Sequence, residues 1–482
     1  MILEELSKSE QASLDAHLAQ RRRQSEWLEN DTARNENFVA TQFVDANHER
    51  IRYILDWDAW TVWDGTRWVL DANSARIAGL ARNFAKELWS KFHIVAENCE
   101  LRKLSKICMF LKGCNGAVGI QNLVRLSRSD PRVMIGLSSL DAVPHLLNLL
   151  NGTVDLLEGT IRPHSHTDLI TQRAEVRFDP SATCPRWEAA LSLIFSGDQE
   201  LIRYVRQIFG YSISAECGKH ILPIGYGSGF NGKSFVWNTL LRIFGDYGGL
   251  ANETLLLGFK DSHPTEKAFL YGKRFVPISE PEQNARLREA RVKELTGDST
   301  ITARRMHENF WSFRRTHTFF LATNHKPKIS GNDEGIWRRV KLIPFTVDLR
   351  TVTDPIDNFD EILANEEGPG ILNWLIAGCH DFRENGFIEP ECVRVATADY
   401  RQEEDELTQF VTDCCITGSA YQVPANTVFK AYQGWGGKLT ATAFGKALGA
   451  RFERLRPTSG SFRKTTLYLG LDLAGDEAVD DF

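Results

Sequence analysis

A glycine-rich segment has the residue types and the spacing that hold a phosphate chain. Residues 227–234 read GSGFNGKS and match the pattern G-x-x-x-x-G-K-[ST]. In this pattern backbone N–H groups turn toward the phosphates, the lysine reaches the β- and γ-phosphates, and the final hydroxyl ligates Mg²⁺. The segment therefore predicts a site for ATP and Mg²⁺. Its predicted cofactor-binding residues are Gly227, Gly229, Asn231, Gly232, Lys233, Ser234 and Phe235.

Polar residues beside three later apolar runs are suited to complete such a site. Glu280 follows FVPIS and is suited to ligate Mg²⁺ or to activate water. Asn324 follows THTFFLAT and is suited to sense the γ-phosphate or to orient the attacking water. Arg338 and Arg339 precede VKLIPF and are suited to stabilise charge on a transferring phosphoryl group. The predicted catalytic residues are Lys233, Glu280, Asn324, Arg338 and Arg339, and the predicted metal ligands are Ser234 and Glu280.

The segments around the glycine-rich loop predict the elements that position it. The apolar run at 220–224 indicates a strand, and FVWNTLLRIF at 235–244 indicates a helix. This order places a helix N-terminus, with its positive potential, at the phosphates. Further upstream, Trp60–Trp68 with Asp64-Gly65 between its apolar residues predicts a β-hairpin. Residues 75–150 show helical periodicity, which includes Leu146 and Leu150 at its end. An α/β fold class follows.

Length and composition exclude several classes of protein. The chain has 482 residues, 42% of them hydrophobic and 25% charged, which is ordinary for a globular protein of several domains. It contains no run of 18 apolar residues, so no membrane partner is expected. The acidic N-terminus does not resemble a signal peptide, and nine cysteines at uneven spacing favour reduced thiols. We therefore expect a cytoplasmic location.

Basic residues concentrate in two islands although the net charge is −6. Residues 302–341 hold nine Lys or Arg against three acids, and residues 421–470 hold eight against Glu453 alone. Such islands on an acidic body predict local nucleic-acid contact, and a solvated face is the alternative. The predicted DNA-binding residues are Arg304, Arg305 and His307 in the first island, and Lys446, Arg451, Arg463 and Lys464 in the second.

Taken together, these motifs resemble those of the superfamily 3 helicases. Within that group they resemble the helicase portion of phage- and plasmid-type primase–helicases, which are related to the poxvirus primase–helicase. The similarity covers roughly residues 40–470. Its most specific segments are GSGFNGKS (227–234), RFVPISEPEQNARLREARVKELTGDSTITARRMH (274–307), FFLATNHKPKI (319–329) and DEGIWRRVKLIPF (333–345).

The resemblance implies an AAA+-like P-loop ATPase core that forms a ring, usually a hexamer, and translocates 3′→5′ on single-stranded DNA. It makes Lys233 the Walker A lysine, Glu280 the Walker B acid and Asn324 the sensor 1 amide. Arg339, with Arg338 beside it, is implied to be the arginine finger that enters a neighbouring subunit's site. One departure is the single Walker B acid, and another is the absence of a recognisable primase segment.

The same resemblance divides the chain into domains. Residues 1–40 are a polar lead-in, 41–180 an α-rich N-terminal domain with some strand, and 181–355 the superfamily 3 core. Residues 356–400 are a helical connector, and 401–482 a C-terminal winged-helix domain. The implied recognition helix spans 440–452 and the implied wing 459–464.

We therefore expect an ATP-dependent DNA helicase in the replication of a phage, plasmid or integrated mobile element. The expected partners are single-stranded DNA, forked or origin duplex DNA, further copies of the chain and a separate primase. An alternative is an ATP-gated origin-loading protein that assembles on DNA without processive unwinding. A P-loop small-molecule kinase is a third reading, but it leaves both basic islands unexplained.

Overall fold

A four-stranded parallel sheet in the middle of the chain carries the glycine-rich loop, as a computed structural model shows. The structure describes Ala16 and residues 26–96, 99–258, 264–280, 285–306, 308–329, 334–351, 356–449, 451–457 and 465–474. Three predicted DNA-binding residues, His307, Arg463 and Lys464, lie outside the described residues, and so does the side chain of Lys446.

The N-terminal region combines helices with a small mixed sheet of strand order β3-β2-β1-β4. The predicted hairpin is confirmed, because β2 pairs antiparallel with β3 and the turn contains Gly65 at φ 101°. Trp60 and Trp68 are buried, so they pack the core of this region instead of offering a stacking surface. The elements are β1 (Ile51–Ile54), β2 (Ala59–Trp63), β3 (Trp68–Leu70), β4 (Met134–Ile135), α1 (Glu36–Asn47), α2 (Ala75–Ala96), α3 (Leu101–Asn115) and α4 (Ala117–Ser127).

A second, three-stranded antiparallel sheet links this region to the central one. Its strands are β5 (Leu146–Leu149), β6 (Gly152–Asp155) and β7 (Thr160–Arg162). The helical periodicity expected near Leu146 is therefore wrong at this point. All four residues of β5 are buried, and all four pair with β6. Because this strand is covered on both faces, leucines occupy neighbouring positions along it.

The central sheet has the strand order β13-β8-β12-β9. Its strands are covered on both faces, which is why they read as nearly continuous apolar runs. Along β12, Phe320 faces one hydrophobic core, whereas Phe319 and Leu321 face a second core on the other side. The strands are β8 (Leu222–Tyr226), β9 (Phe275–Ile278), β12 (Thr318–Thr323) and β13 (Val340–Pro344).

Helices pack on both faces of this sheet, and a two-stranded hairpin projects between β9 and β12 in the chain. The hairpin consists of β10 (Thr300–Ala303) and β11 (Trp311–Arg314). The helices are α5 (Pro185–Ile194), α6 (Gln199–Ile213), α7 (Lys233–Phe244), α8 (Pro264–Ala268), α9 (Glu289–Gly297), α10 (Glu334–Trp337), α11 (Phe359–Glu366), α12 (Gly368–Asn385) and α13 (Glu391–Glu403).

The helices from 356 to 403 are part of this central body. Helix α12 packs along α6, with the rings of Tyr211 and Phe382 4.8 Å apart. Helix α13 packs on β13, where the Leu342 N–H donates to Thr397 Oγ1 at 3.0 Å. Tyr400 of α13 also lies in the core on one face of the sheet. This segment, expected as a connector, therefore stabilises the sheet that it follows.

The C-terminal module has its own small core, which includes Leu407, Phe410, Tyr432 and Phe444. Three helices cover an antiparallel sheet of order β14-β16-β15. Its elements are α14 (Glu406–Cys414), β14 (Cys415–Pro424), α15 (Ala425–Trp435), α16 (Ala441–Gly449), β15 (Arg454–Leu455) and β16 (Leu467–Leu473). Among all the described ranges, no helix is both long enough and apolar enough to cross a bilayer.

Candidate nucleotide site

The glycine-rich loop joins the carboxyl end of β8 to the N-terminus of α7. Two glycines make its path possible. Gly232 has φ 87°, and a Cβ on Gly227 would lie 2.0 Å from the Phe345 carbonyl oxygen. Among the described contacts, the backbone N–H groups of 228–232 donate to no acceptor within the chain. The loop therefore presents a run of amide donors at a helix N-terminus, which is an arrangement that binds anions.

Lys233 is the cation at the centre of this loop. Its Nζ donates to the Gly227 carbonyl at 2.7 Å, to Asn231 Oδ1 at 3.0 Å and to Asn324 Oδ1 at 3.0 Å. The residue is 6% exposed. Burial lowers the pKa of Lys233, and the negative charge of Glu280 opposes that shift. Lys233 thus interacts with both the predicted amide, Asn324, and the predicted acid, Glu280.

Two asparagine side chains accept hydrogen bonds from the lysine. Asn231 is 2% exposed and also donates from Nδ2 to the Phe345 carbonyl at 3.0 Å, which ties the loop to the end of β13. Asn324 follows β12, and the turn there is fixed because the His325 N–H donates to Thr323 Oγ1 at 3.0 Å. Asn231 therefore positions the loop, whereas Asn324 joins the loop to the neighbouring strand.

Ser234 and Glu280, the predicted metal ligands, are both exposed at this edge. Ser234 is the second residue of α7, and Glu280 comes two residues after β9. A hydroxyl and a carboxylate are oxygen donors of the kind that Mg²⁺ prefers, so the residues present fit this ion. Phe235 is different, because its ring stacks on Phe359 at 5.5 Å.

The two adjacent arginines have opposite environments. Arg339 is 5% exposed; its Nε donates to Thr296 Oγ1 at 3.1 Å, and its Nη1 donates to the Gly335 carbonyl. Arg338 is exposed. Within one chain, Arg339 therefore anchors α10 and the start of β13 to α9, and Arg338 is the arginine that is accessible to a second molecule.

Replacing Arg339 by methionine should lower the free energy of unfolding by about 1–3 kcal/mol, because it removes hydrogen bonds made by a buried charged donor. Urea unfolding of the Arg339→Met variant measures this change. The matched control is Arg338→Met, which should stay within about 0.5 kcal/mol of the parent because its side chain is exposed. Equal effects of the two variants would contradict the assignment of Arg339 as an internal anchor.

The hairpin brings the predicted DNA-binding residues Arg304 and Arg305 to the end of β10. Arg304 lies over the Phe310 ring at 5.0 Å. Arg305 lies over Trp57 of the N-terminal region at 4.2 Å and over Trp311 at 5.7 Å. We call this contact of Trp57, Arg305 and Trp311 the Arg305 clamp. It holds Arg305 within the chain and leaves Arg304 as the less restrained of the two cations.

Many other cations of the first basic island are paired within the chain. Lys326 donates to Glu403 at 2.7 Å, Lys328 to Glu404 at 3.3 Å, and Lys341 to Glu389 at 2.6 Å. Acids in and beside α13 therefore neutralise three of the nine cations of this island. In the second island, Arg451 pairs with Asp405 and also donates to Thr408 Oγ1 at 2.8 Å.

Arg451 thus has a structural role that sequence reasoning did not identify. Burial alone would raise the pKa of Asp405, but hydrogen bonds from Thr408 and Arg451 hold that pKa below its ordinary value. The pair fastens the loop after α16 to the start of α14. Thr296, which accepts the Arg339 hydrogen bond, was also missed as an anchor, because a threonine inside a helical segment carries no distinguishing signal.

Two family descriptions match the chain in separate segments. One is "D5 N terminal like", which matches residues 40–196. The other is "Family of unknown function (DUF5906)", which matches residues 225–339. The second match therefore includes Lys233, Glu280 and Asn324, and it ends at the buried arginine Arg339.

Curated relatives are viral proteins. The "Putative helicase L207/L206" of Acanthamoeba polyphaga mimivirus is 26% identical over 302 residues, 58% of this chain and 31% of that protein. The "Putative primase C962R" of African swine fever virus is 24% identical over 332 residues, 62% of this chain and 34% of that protein. The chain spans about a third of the length of these relatives.

A solved structure shares the fold. The apo structure of the NrS-1 C-terminal region matches with a TM-score of 0.50 and 12% identity, covering 87% of this chain and 95% of that chain. The fold likeness therefore extends over nearly all of both chains. The chain is homologous to viral proteins that are named as helicases and primases, and it has the mixed α/β fold of the NrS-1 C-terminal region.

Proposed function

We propose that the chain is an ATP-dependent DNA helicase of superfamily 3 type, built on an AAA+-like P-loop core. One observation carries this proposal: Lys233, in a loop whose amide N–H groups have no described acceptor in the chain, is hydrogen-bonded to the Asn324 amide at the end of the adjacent strand. A phosphate-binding cation and a polar amide at neighbouring strand ends are the parts that phosphoryl-transfer sites use. The relatedness to viral helicases and primases supports the same conclusion.

The residues of the site divide the work of ATP hydrolysis. The loop amides and Lys233 bind the phosphates, and Ser234 and Glu280 would hold Mg²⁺. That ion, when bound, neutralises charge that develops on the phosphates. Asn324 orients the attacking water, because its amide lies beside the lysine that contacts the terminal phosphate. Among the described residues of this arrangement Glu280 is the one acid, so it both assists the metal and accepts the proton from water.

The accessible arginine supports a ring. An exposed Arg338 at the start of β13 is available to a neighbouring protomer's nucleotide, whereas the buried Arg339 is not. A closed ring, with a hexamer as the expected size, satisfies every such interface and brings one hairpin per subunit to a shared axis. We assign the role of arginine finger to Arg338 on this ground.

The hairpin is the proposed contact to single-stranded DNA. Its described tip residues include Arg304, the 71% exposed Met306 and the 59% exposed Phe310. A cation beside exposed apolar side chains can attract phosphates and contact bases. The C-terminal module, which we propose is a winged helix, is the expected contact to origin or forked duplex DNA. Movement along the strand is expected to run 3′→5′, in replication of a phage, plasmid or integrated element.

A strand-displacement assay tests the proposal. The full chain with ATP and Mg²⁺ should separate a duplex that carries a 3′ single-stranded tail, and it should fail on the same duplex with a 5′ tail. Single-stranded DNA should also stimulate ATP turnover. ATP turnover and assembly on DNA without displacement would overturn the helicase and favour the origin-loading alternative. Turnover that ignores single-stranded DNA would favour a small-molecule kinase.

A further inference from the structure

A third group of cations lies on the helices α2, α3 and α4, outside the two islands discussed above. Residues 75–128 contain ten Lys or Arg against three Glu. The apolar side chains of these helices, such as Ile77, Leu88 and Leu111, fill the core of the N-terminal region. The exposed cations are Arg76, Arg82, Lys86, Arg102, Lys103, Lys106, Lys112, Arg125 and Arg128.

Little of the charge of these cations is paired. Lys106 lies 3.7 Å from Asp31, and Arg128 lies 3.6 Å from Asp58. Six others make no ion pair with any residue that the structure describes: Arg76, Arg82, Lys86, Arg102, Lys103 and Lys112. The first island, by contrast, has Lys326, Lys328 and Lys341 neutralised by carboxylates at 2.6–3.3 Å.

Helical spacing places these cations on outer faces. On α3, Arg102, Lys106 and Lys112 follow each other at intervals of four and six residues, with the 65% exposed Met109 between them. Buried Ile107 and other apolar residues occupy the opposite side of that helix.

Helix α2 repeats this arrangement. Arg82 and Lys86 are four residues apart and exposed, whereas Phe84 and Leu88 are buried. Like charges four residues apart repel one another on a helix, both here and at Arg102 and Lys106 of α3. An anionic partner would relieve that repulsion at both places.

We propose that this surface, the helical basic face of α2 and α3, binds the phosphate backbone of double-stranded DNA. The proposal deepens the proposed helicase function and rests on it for the choice of polymer. The lack of a stacking surface favours duplex over single strands, since single strands bind through exposed aromatic rings. In the described part of α2–α4 no Phe, Tyr or Trp ring is fully exposed; Trp89 and Phe92 are half-buried and stack on each other at 6.0 Å.

The side chains on this face suit a contact that ignores base sequence. Long, exposed Lys and Arg side chains reach phosphate oxygens, and each neutralised phosphate releases counterions. The large apolar side chains exposed on α3 and α4 are aliphatic, namely Leu101 (85%), Met109 (65%) and Val118 (69%). A helicase that holds the duplex ahead of the point of strand separation needs such binding, which does not depend on base sequence.

The test compares two full-length variants that lose the same positive charge. The first carries Arg82→Gln, Lys86→Gln, Arg102→Gln and Lys112→Gln. The control carries Arg186→Gln, Arg203→Gln, Arg394→Gln and Arg401→Gln, whose guanidinium groups are all ion-paired at the surface. The probe is a labelled blunt duplex of about 20 base pairs without nucleotide, titrated at several salt concentrations.

The first variant should bind the duplex at least about tenfold more weakly, and the slope of log K against log salt should fall by about 3. The control should keep both values, and both variants should keep the parent's thermal unfolding midpoint and basal ATP turnover. Unchanged duplex affinity of the first variant would overturn the proposal. So would an equal loss for a single strand of the same length.

The outcome is separable from that of the proposed function. If the unmodified chain did not turn over ATP, the helicase proposal would be refuted. The helical basic face would still be tested, because the binding assay contains no nucleotide. An active helicase whose first variant binds duplex normally would refute the face alone.

Discussion

Replacing Lys233 by alanine should abolish ATP turnover, with a loss of at least about 100-fold in kcat. The change removes the one ammonium that joins the loop to Asn324, and with it the charge that would meet the terminal phosphates. Steady-state phosphate release in the presence of single-stranded DNA measures the effect. The duplex with a 3′ tail should then remain unseparated, because unwinding depends on hydrolysis.

A lysine on the central sheet provides the control. Lys341 lies near the start of β13 and pairs with Glu389 at 2.6 Å, so Lys341→Ala should keep kcat within about threefold of the parent. Both variants should unfold cooperatively, as circular dichroism reports. If Lys233→Ala retained more than about a tenth of the parent's turnover, the loop would not be the catalytic phosphate site.

Arg338→Ala should lower ATP turnover by about 1,000-fold in an assembled ring, since an arginine finger contributes at least that much. The sharper result comes from mixing it with Lys233→Ala, each inactive alone. In a randomly mixed ring, about one interface in four combines an intact Lys233 with an intact neighbouring Arg338. Equimolar mixing should therefore restore about a quarter of the parent's turnover, measured after co-assembly with single-stranded DNA.

Two results would contradict an arginine supplied by the neighbour. If the mixture stayed inactive, Arg338 would act within its own chain or not at all. If Arg338→Ala alone were fully active, the finger would lie elsewhere. The matched control is Arg401→Ala, an exposed arginine of α13 that pairs with Glu334 at 2.5 Å. That variant should turn over ATP like the parent, and its equimolar mixture with Lys233→Ala should keep about half of the parent's turnover, because about half of the interfaces still hold an intact Lys233.

The parts of the site that sequence could predict are local in the chain. The glycine-rich loop needs a strand before it and a helix after it, and β8 and α7 are there. The turn at Asp64-Gly65 likewise specifies a hairpin by its own residues. Asn324 was predictable as the polar end of an apolar run, and parallel strands bring such ends to one edge.

The parts that sequence could not predict depend on distant partners. Arg338 and Arg339 are adjacent residues of the same type. What distinguishes their roles is that Arg339 donates a hydrogen bond to Thr296, which is 43 residues away in the chain. The pairing of Lys326 with Glu403 spans 77 residues, so the first island is far less basic in the fold than in the sequence. The run at Leu146 failed for another reason, because a short apolar run fits a helix and a covered strand equally.

The Arg305 clamp limits how the hairpin can move during ATP hydrolysis. The hairpin contacts Trp57 through Arg305, and Trp57 lies in the chain between β1 and β2 of the N-terminal region. If the hairpin carries a DNA strand forward, the N-terminal region must either move with the hairpin or release its contact with Arg305 once in each step. Trp57→Ala removes the contact with Arg305, and the force at which the motor stalls under load should then report how much this contact couples the hairpin to the N-terminal region.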